Sequence, residues 1–267
     1  MRFKEFLMKE DGVSARHLSA AKMSLDEMVE WVEENASYFM ANDGEIYRGI
    51  DSHNAEGLYN GTQMNRSAAN THNYGNLWMS NHHDWSNFPN RSKSFICTTN
   101  PEYTEGFGTQ YMVIPSDSSM IGICPTEDMW DAFPDIRKLT NGMGFSEFMD
   151  LIEYLIQEKT GSNQNYAKDW DRMAGVLNSV DIDDVKKAAE EKNGNAGMAM
   201  RLLSYMQYKQ IETLYEVFEQ LFNPKKAGFS IEPAATFPEL DGREVWMSGS
   251  VLIVLPHTYR QIKDALR

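Results

Sequence analysis

The sequence predicts an α+β protein, because strand-like runs lie on both sides of a long segment with an almost purely helical pattern. The strand-like runs, rich in β-branched and aromatic residues, lie at 45–50, 93–99, 110–115, 243–247 and 250–256. Between the third and the fourth, from about residue 126 to 222, apolar residues recur every three or four positions. We therefore expect one domain over 1–267, in which 126–222 is a large helical insertion.

The first element in chain order is a helix predicted over residues 24–40. Ser24 can cap its first turn, because Glu27 follows three residues later in the spacing of a capping box. Met28 and Val32 belong to an apolar stripe at helical spacing. We therefore expect this helix to pack on the core.

The segment 126–222 is predicted to hold three or four helices in series, each with its own start or stop signal. One ends at a glycine, one begins with acidic residues and ends at a glycine, and one stops before a proline. Their ranges are 145–161, 181–194 and 198–224. A helical block of this size exceeds what packing on one sheet requires.

The last two strand-like runs are separated only by Ser248 and Gly249. Short connections that contain glycine are typical of β-hairpins. The pattern therefore predicts that these two strands pair with each other.

Composition and charge exclude several classes of protein. The 267 residues are 42% hydrophobic, which suits a large folded core, and the formal net charge is −14. This charge disfavours binding nucleic acid or anionic membranes over the whole surface. The longest apolar run, 251–256, is far below the roughly 20 residues that span a bilayer, and we expect no membrane partner. Two cysteines, Cys97 and Cys124, make neither a disulfide framework nor a zinc site and favour a reducing compartment.

Three polar segments in the strand runs carry the functional signal. Arg48 lies in a half-buried pattern although a guanidinium is always charged and hard to desolvate. A Thr-rich strand end at 97–99 leads into a short Asn-Pro turn, and Glu244 opens a late strand. An arginine, a strand end with hydroxyl groups and a glutamate, in this order, predict a catalytic site.

These segments resemble the three motifs of the arginine–serine–glutamate class of mono-ADP-ribosyltransferases, which includes cholera-like and clostridial toxins. An aromatic-Arg-Gly strand is matched by Tyr47-Arg48-Gly49. A Phe-x-Ser-Thr-Ser strand, followed by a short helix with an aromatic residue, is matched by Phe95-Ile96-Cys97-Thr98-Thr99 and then Phe107. A Glu-x-Glu-Val-Leu strand is matched by Gly242-Arg243-Glu244-Val245-Trp246. Cys97 and Thr99 stand where the motif has its two serines, which changes the hydrogen bonding expected behind Glu244.

The resemblance implies a split β-sandwich core of the ADP-ribosyltransferase type, with an N-terminal helix and the helical insertion. It also implies transfer of ADP-ribose from NAD, the substrate, to a macromolecular acceptor with release of nicotinamide. Glu244 would stabilise the positive charge that develops on the ribose, as in glycoside hydrolysis. Arg48 would bind the diphosphate through paired hydrogen bonds. Gly49, Cys97, Thr98 and Phe107 would complete the NAD site, with Gly49 allowing close approach of nicotinamide and Phe107 stacking on its ring.

Each of these residues also has a plain structural interpretation. Arg48 fits a surface position on an edge strand, Glu244 a solvent-facing strand residue, and Phe107 the core. Cys97 and Thr98 fit ordinary buried strand positions.

The polar stretch 51–92 offers further candidates. Arg66 and Arg91 lie within it, on either side of the run 80–85, as additional phosphate contacts or as plain surface charges. The run His82-His83-Asp84 suggests metal ligands, but adjacent residues usually point in different directions, so no metal site is predicted. A metal-dependent hydrolase is accordingly the third functional alternative.

The acceptor is not fixed by the sequence. In arginine-modifying members of the class a glutamate stands two residues before the catalytic one, whereas here that position is Gly242, which cannot act as a base. We expect poor activity on arginine analogues such as agmatine, and an acceptor that is a host protein or nucleic acid. The helical segment 126–222 is a candidate for positioning it.

The first ten residues, MRFKEFLMKE, suggest an origin. They resemble the N-termini of many proteins of large tailed bacteriophages, where such a segment can direct packaging into the head, although an ordinary amphipathic start fits equally well. The resemblance implies the cytoplasm of a bacterial host or a virion as location. A non-catalytic virion or host-interaction protein that keeps the fold is the main functional alternative. The oligomeric state stays open.

Overall fold

The computed structural model describes residues 20–42, 44–64, 72–191 and 194–267, which form two compact units. The sheet unit contains the described parts of 1–70, 85–129 and 228–267. The helical unit contains the described parts of 71–84 and 130–227. The predicted mixture of α and β structure, with strands on both sides of a helical block, is confirmed.

The described residues contain eight strands, all in the sheet unit, which form one antiparallel sheet. The strands are β1 (Tyr47–Ile50), β2 (Gly57–Asn60), β3 (Phe95–Thr98), β4 (Thr109–Pro115), β5 (Met120–Ile123), β6 (Ser230–Pro233), β7 (Glu244–Met247) and β8 (Ser250–Val254). Their order in the sheet is β2-β8-β4-β1-β3-β7-β5-β6. Strands far apart in sequence therefore become neighbours at the centre of the sheet.

The described residues also contain eleven α-helices. They are α1 (Leu25–Asn35), α2 (Ser37–Ala41), α3 (Tyr74–Asn81), α4 (Pro134–Leu139), α5 (Phe145–Thr160), α6 (Trp170–Ser179), α7 (Ile182–Glu190), α8 (Ala196–Lys209), α9 (Leu214–Leu221), α10 (Pro224–Ala227) and α11 (Pro256–Ala265). The helices α1, α2 and α11 belong to the sheet unit and the others to the helical unit. None of the helices in the described ranges is long and apolar enough to cross a membrane.

The predicted hairpin of the last two strands is wrong, because β7 pairs with β3 and β5 whereas β8 pairs with β2 and β4. Both strands are buried over most of their length, so each needs a neighbour on both sides. In a flat sheet four strand spacings would separate them by about 19 Å. The two connecting residues, Ser248 and Gly249, span at most roughly 11 Å between the strand ends. The sheet must therefore curl until the end of β7 and the start of β8 meet.

Several helix boundaries follow the sequence signals. Ser24 and Glu27 form the predicted capping box of α1. The helix α5 ends at Gly161, which has a positive φ of 62° and so suits glycine. The predicted single helix over 198–224 is wrong, because the chain leaves α8 at Gln210 with φ 56° and Thr213 caps a new helix, α9.

Candidate active site

The three motif strands lie side by side at the centre of the sheet. Strand β3 lies between β1 and β7, so the three segments meet although nearly 200 positions of sequence separate the first from the last. Thr98 on β3 is the register partner of Tyr47 on one side and of Glu244 on the other. The arginine strand and the glutamate strand therefore flank the threonine strand directly.

One cavity is lined by six of the eight residues that the sequence assigns to catalysis or NAD binding. Its walls are Tyr47, Arg48, Gly49, Ile96, Cys97, Thr98, Tyr103, Thr104, Phe107 and Glu244. The cavity has a volume of about 20 Å³, which is room for about one water molecule. A larger ligand therefore needs part of the wall to move.

Glu244 is buried and its carboxylate is paired with a guanidinium. The residue is 1% exposed, and Arg91 Nη1 donates to Glu244 Oε1 at 2.6 Å. The backbone N–H of Met129 lies 3.4 Å from Glu244 Oε2, a long hydrogen bond. The pair holds the carboxylate in a fixed place with low access to water.

Arg91 is buried and paired with Glu244, a position that the sequence does not predict. The sequence offers it as a phosphate contact or a surface charge, and the surface interpretation is wrong because Arg91 is 3% exposed. Its guanidinium bonds to Glu244 and lies 5.7 Å from the ring centroid of Trp246. The second phosphate candidate, Arg66, lies outside the described residues.

Arg48 is buried as well, so its interpretation as an exposed charge on an edge strand is also wrong. Strand β1 lies between β3 and β4, and Arg48 is 7% exposed. Its Nη1 donates to the backbone carbonyl of Ile96 on the neighbouring strand. The guanidinium therefore lies in the cavity wall.

The space over Gly49 is filled by protein. A Cβ atom at this position would lie 2.4 Å from Phe107 Cβ and 2.7 Å from the carbonyl oxygen of Thr104. The short helical turn Pro101–Thr104 thus packs directly on β1. The resemblance implies that nicotinamide approaches Gly49 here, but in the described conformation Phe107 and Thr104 occupy this space.

Thr99 supplies hydrogen bonding next to Glu244. Its hydroxyl accepts from the backbone N–H of Arg243 at 2.9 Å, and its own N–H donates to the carbonyl of Arg243 at 2.9 Å. These bonds fix the backbone immediately before Glu244. A threonine in place of the serine of the motif therefore still ties the two strands together.

Cys124 lies near the carboxylate but does not act as a thiolate. Burial, followed by the negative charge of Glu244, raises the pKa of Cys124 to about 12. The thiol is therefore neutral at physiological pH. It contributes packing and a contact to Thr126 Oγ1 at 3.2 Å.

A carboxylate that the sequence does not single out lies beside Gly242. This glycine has φ 60°, and a Cβ there would lie 2.7 Å from Glu127 Oε1. Glu127 is exposed and stands in the loop that follows β5, with no motif around it. Only the folded chain brings it next to the position two residues before Glu244.

Comparison with protein families, curated proteins and solved structures found no match to this chain. The function is accordingly inferred from the chemistry of the cavity and its walls.

Proposed function

We propose that this protein is an NAD-dependent mono-ADP-ribosyltransferase that transfers ADP-ribose to a macromolecular acceptor. The observation that carries the proposal is the meeting of Arg48, Thr98 and Glu244, from three motifs distant in sequence, at one cavity. The curled sheet supports the finer proposal of a split β-sandwich core of the ADP-ribosyltransferase type. The proposed insertion, 126–222, overlaps most of the helical unit, which also contains the described part of 71–84.

The proposed reaction breaks the bond between the nicotinamide nitrogen and C1′ of the ribose. The bonding electrons leave with nicotinamide, and C1′ and the ring oxygen share the positive charge that develops. The Glu244 carboxylate stabilises this charge. A nucleophile of the acceptor then bonds to C1′ and loses its proton to solvent or to a nearby base.

NAD binding in this proposal uses the cavity wall. Arg48 donates to the diphosphate, Phe107 stacks on nicotinamide, and Cys97 and Thr98 form the floor on β3. The cavity of about 20 Å³ admits none of these groups, so the turn Pro101–Thr104 and Phe107 move away from Gly49 when NAD enters. In the described conformation this space is closed.

The proposed acceptor is a host protein or nucleic acid in the cytoplasm of a bacterial host. Gly242 offers no side chain to orient a guanidinium, and the nearby Glu127 is exposed on a loop. Agmatine is therefore expected to be a poor acceptor. Efficient modification of agmatine by the wild-type protein would contradict this assignment of the acceptor class, but not the use of NAD.

The direct test uses NAD that carries a label on its adenine. Purified protein is incubated with bacterial lysate and labelled NAD, and the product is separated into protein, nucleic acid and small-molecule fractions. Transfer to a macromolecule with equimolar release of nicotinamide is expected, and it should fall sharply for Glu244→Gln. If the protein releases no nicotinamide and labels none of the fractions, the proposal is wrong.

A non-catalytic virion or host-interaction protein that keeps the fold is a second candidate. The observation that favours it is the combination of a filled cavity with a carboxylate already neutralised by Arg91. This candidate predicts that NAD does not raise the thermal unfolding temperature. Stabilisation of the wild-type protein by NAD at millimolar concentration would argue against it.

A further inference from the structure

A cluster of imidazole and carboxylate groups lies in the helical unit where α3 ends. His82 is the C-terminal cap of α3, and His83 and Asp84 begin a short helical turn. Adjacent residues on a regular helix or strand point in different directions, which is why the sequence predicts no metal site here. The change from α-helix to a tighter turn instead brings one ligand atom from each of the three residues within 4.8 Å of the others.

The distances within this cluster are close to those that a metal ion imposes. His83 Nε2 lies 3.3 Å from Asp84 Oδ1, and His82 Nδ1 lies 3.9 Å from Asp84 Oδ2. Ligand atoms around a tetrahedral zinc ion lie roughly 3.3 Å apart, given bonds of about 2.0 Å. Small side-chain rotations would therefore bring all three groups onto one ion.

His82 is already held in one orientation. It is 2% exposed, and its ring stacks on Trp78 with centroids 4.3 Å apart and an angle of 15°. Its Nδ1 accepts a long hydrogen bond of 3.4 Å from the backbone N–H of Asp84. Its Nε2 faces Glu219 Oε1 at 3.5 Å, too far for a strong hydrogen bond. The lone pair of Nδ1 thus points toward the aspartate side and the Nε2 proton toward Glu219.

The geometry points to a divalent transition-metal site, formed by His82 Nδ1, His83 Nε2 and the carboxylate of Asp84, with Zn²⁺ as the expected ion. Two imidazoles and one carboxylate suit zinc better than Mg²⁺ or Ca²⁺, which prefer oxygen ligands. Three protein ligands leave a fourth position for water, and His83 is exposed, so the ion can enter from solvent. Glu219 Oε1 lies 3.5 Å from His82 Nε2, so a small shift of the ring on metal binding would let it accept the Nε2 proton, as carboxylates commonly do behind metal-bound histidines.

Metal binding at this place would stabilise the helical unit. Asp84 Oδ2 already accepts from Asn223 Nδ2 at 3.0 Å, just after α9, and Glu219 lies within α9. Two of the proposed ligands, His82 and Asp84, therefore already contact α9 or the residue just after its end. An ion that binds this arrangement in the folded state raises the unfolding temperature.

The test is a zinc titration of untagged protein from which metals have been removed with a chelator. Competition with a chromophoric zinc chelator should show one Zn²⁺ bound per chain in the wild type. His83→Ala should weaken this binding by at least about tenfold, and the exposed control His257→Ala should leave it unchanged. Equal binding by wild type and His83→Ala, or no binding by either, would overturn the site.

Two further measurements separate this site from loose association with surface histidines. Glu219→Gln removes only the group behind His82 and should weaken zinc binding by about ten- to a hundredfold. Zinc should raise the unfolding temperature of the wild type and of His257→Ala but not of His83→Ala. An equal rise for all three proteins, or an equal rise with Mg²⁺, would contradict the proposed ligands.

Discussion

Two ion pairs of the same length, one in each unit, show how strongly burial changes the meaning of a contact. Arg91 and Glu244 in the sheet unit are 2.6 Å apart, and so are Lys159 and Asp184 in the helical unit. The side chains of the first pair are 4% and 2% exposed, and those of the second pair 32% and 25%. In a buried pair both ions lose their hydration, and their mutual attraction offsets this free-energy cost only when the geometry is good. In a half-exposed pair both the desolvation cost and the attraction are small.

The same contrast holds for the two units as a whole. Among the described residues, the buried Arg, Lys, Asp and Glu residues are Arg48, Arg91 and Glu244, and all three belong to the sheet unit. The buried histidine of the helical unit, His82, has a pKa that burial lowers, which favours its neutral form. Buried charge is expensive for stability, so its concentration around one cavity favours a functional role for that cavity.

Removal of one member of the buried pair should have the largest effect. Arg91→Met leaves Glu244 as an uncompensated buried charge and should lower the free energy of unfolding by about 3–5 kcal/mol. The double variant Arg91→Met/Glu244→Gln should recover much of this loss, because neither ion remains. Urea denaturation of the four proteins of this cycle measures the coupling. A loss below about 1 kcal/mol for Arg91→Met would mean that the buried pair behaves like a surface pair.

The next prediction concerns turnover. Glu244→Gln should lower the rate of nicotinamide release by about 10² to 10³, the effect of removing one preorganised electrostatic group. The substitution also leaves Arg91 without its carboxylate, so the measurement needs a temperature at which circular dichroism shows a folded protein. The double variant separates the two effects, since it should regain stability and stay inactive. Wild-type rates for either variant would remove Glu244 from the reaction.

A smaller effect is expected for NAD binding. Arg48→Lys keeps the charge but loses the planar fork, and it should weaken NAD binding by about tenfold, the loss of about one hydrogen bond to a charged group. Thermal-shift titration with NAD measures this, with Arg260→Lys on the exposed side of α11 as the matched control. Identical titrations of the two variants would show that Arg48 does not bind NAD.

The smallest effect should come from the half-exposed pair. Lys159→Met is expected to lower the free energy of unfolding by less than about 1 kcal/mol, and high salt should erase the difference. A hydrogen bond from the backbone N–H of Asp184 is the main reason that the pKa of Asp181 is lowered, and Lys159 also contacts this carboxylate. A carboxyl group whose pKa is lowered by folding stabilises the fold at neutral pH, and this stabilisation is lost as the pH falls through the folded-state pKa. The loss in free energy of unfolding caused by Lys159→Met should therefore become smaller in acid. The exposed control Lys186→Met should not change the free energy of unfolding at either pH.

Local signals in the sequence predict those parts of the fold that depend on near neighbours. The capping box at Ser24, the helix end at Gly161 and the strand around Arg48 each depend on residues within one turn or one strand. The helix α3 has no such signal, because it contains polar Asn and Ser residues and no side-chain cap. Its aromatic residue Trp78 is buried by tertiary contacts that the local sequence does not indicate.

Long-range pairing is where sequence patterns fail. Ser248 and Gly249 satisfy the rule for a hairpin, but both flanking strands have better partners elsewhere in the sheet. Motif order indicates that Arg48 and Glu244 belong together. Nothing local indicates that Arg91 pairs with Glu244, because the two residues come together only after the sheet has formed.

The separation between Arg91 and Glu244 in the sequence also determines the order in which parts of the protein can fold during translation. The two residues are 153 positions apart, and the whole segment 130–227 is made between them. At ordinary translation rates the ribosome takes roughly 8 to 30 s to cover this distance. During this interval Arg91 stays hydrated and the central strands lack β7, while the helices of 130–227 have time to form from local contacts. A growing chain therefore acquires its helical unit before its cavity, and it holds no assembled site until Glu244 has left the ribosome.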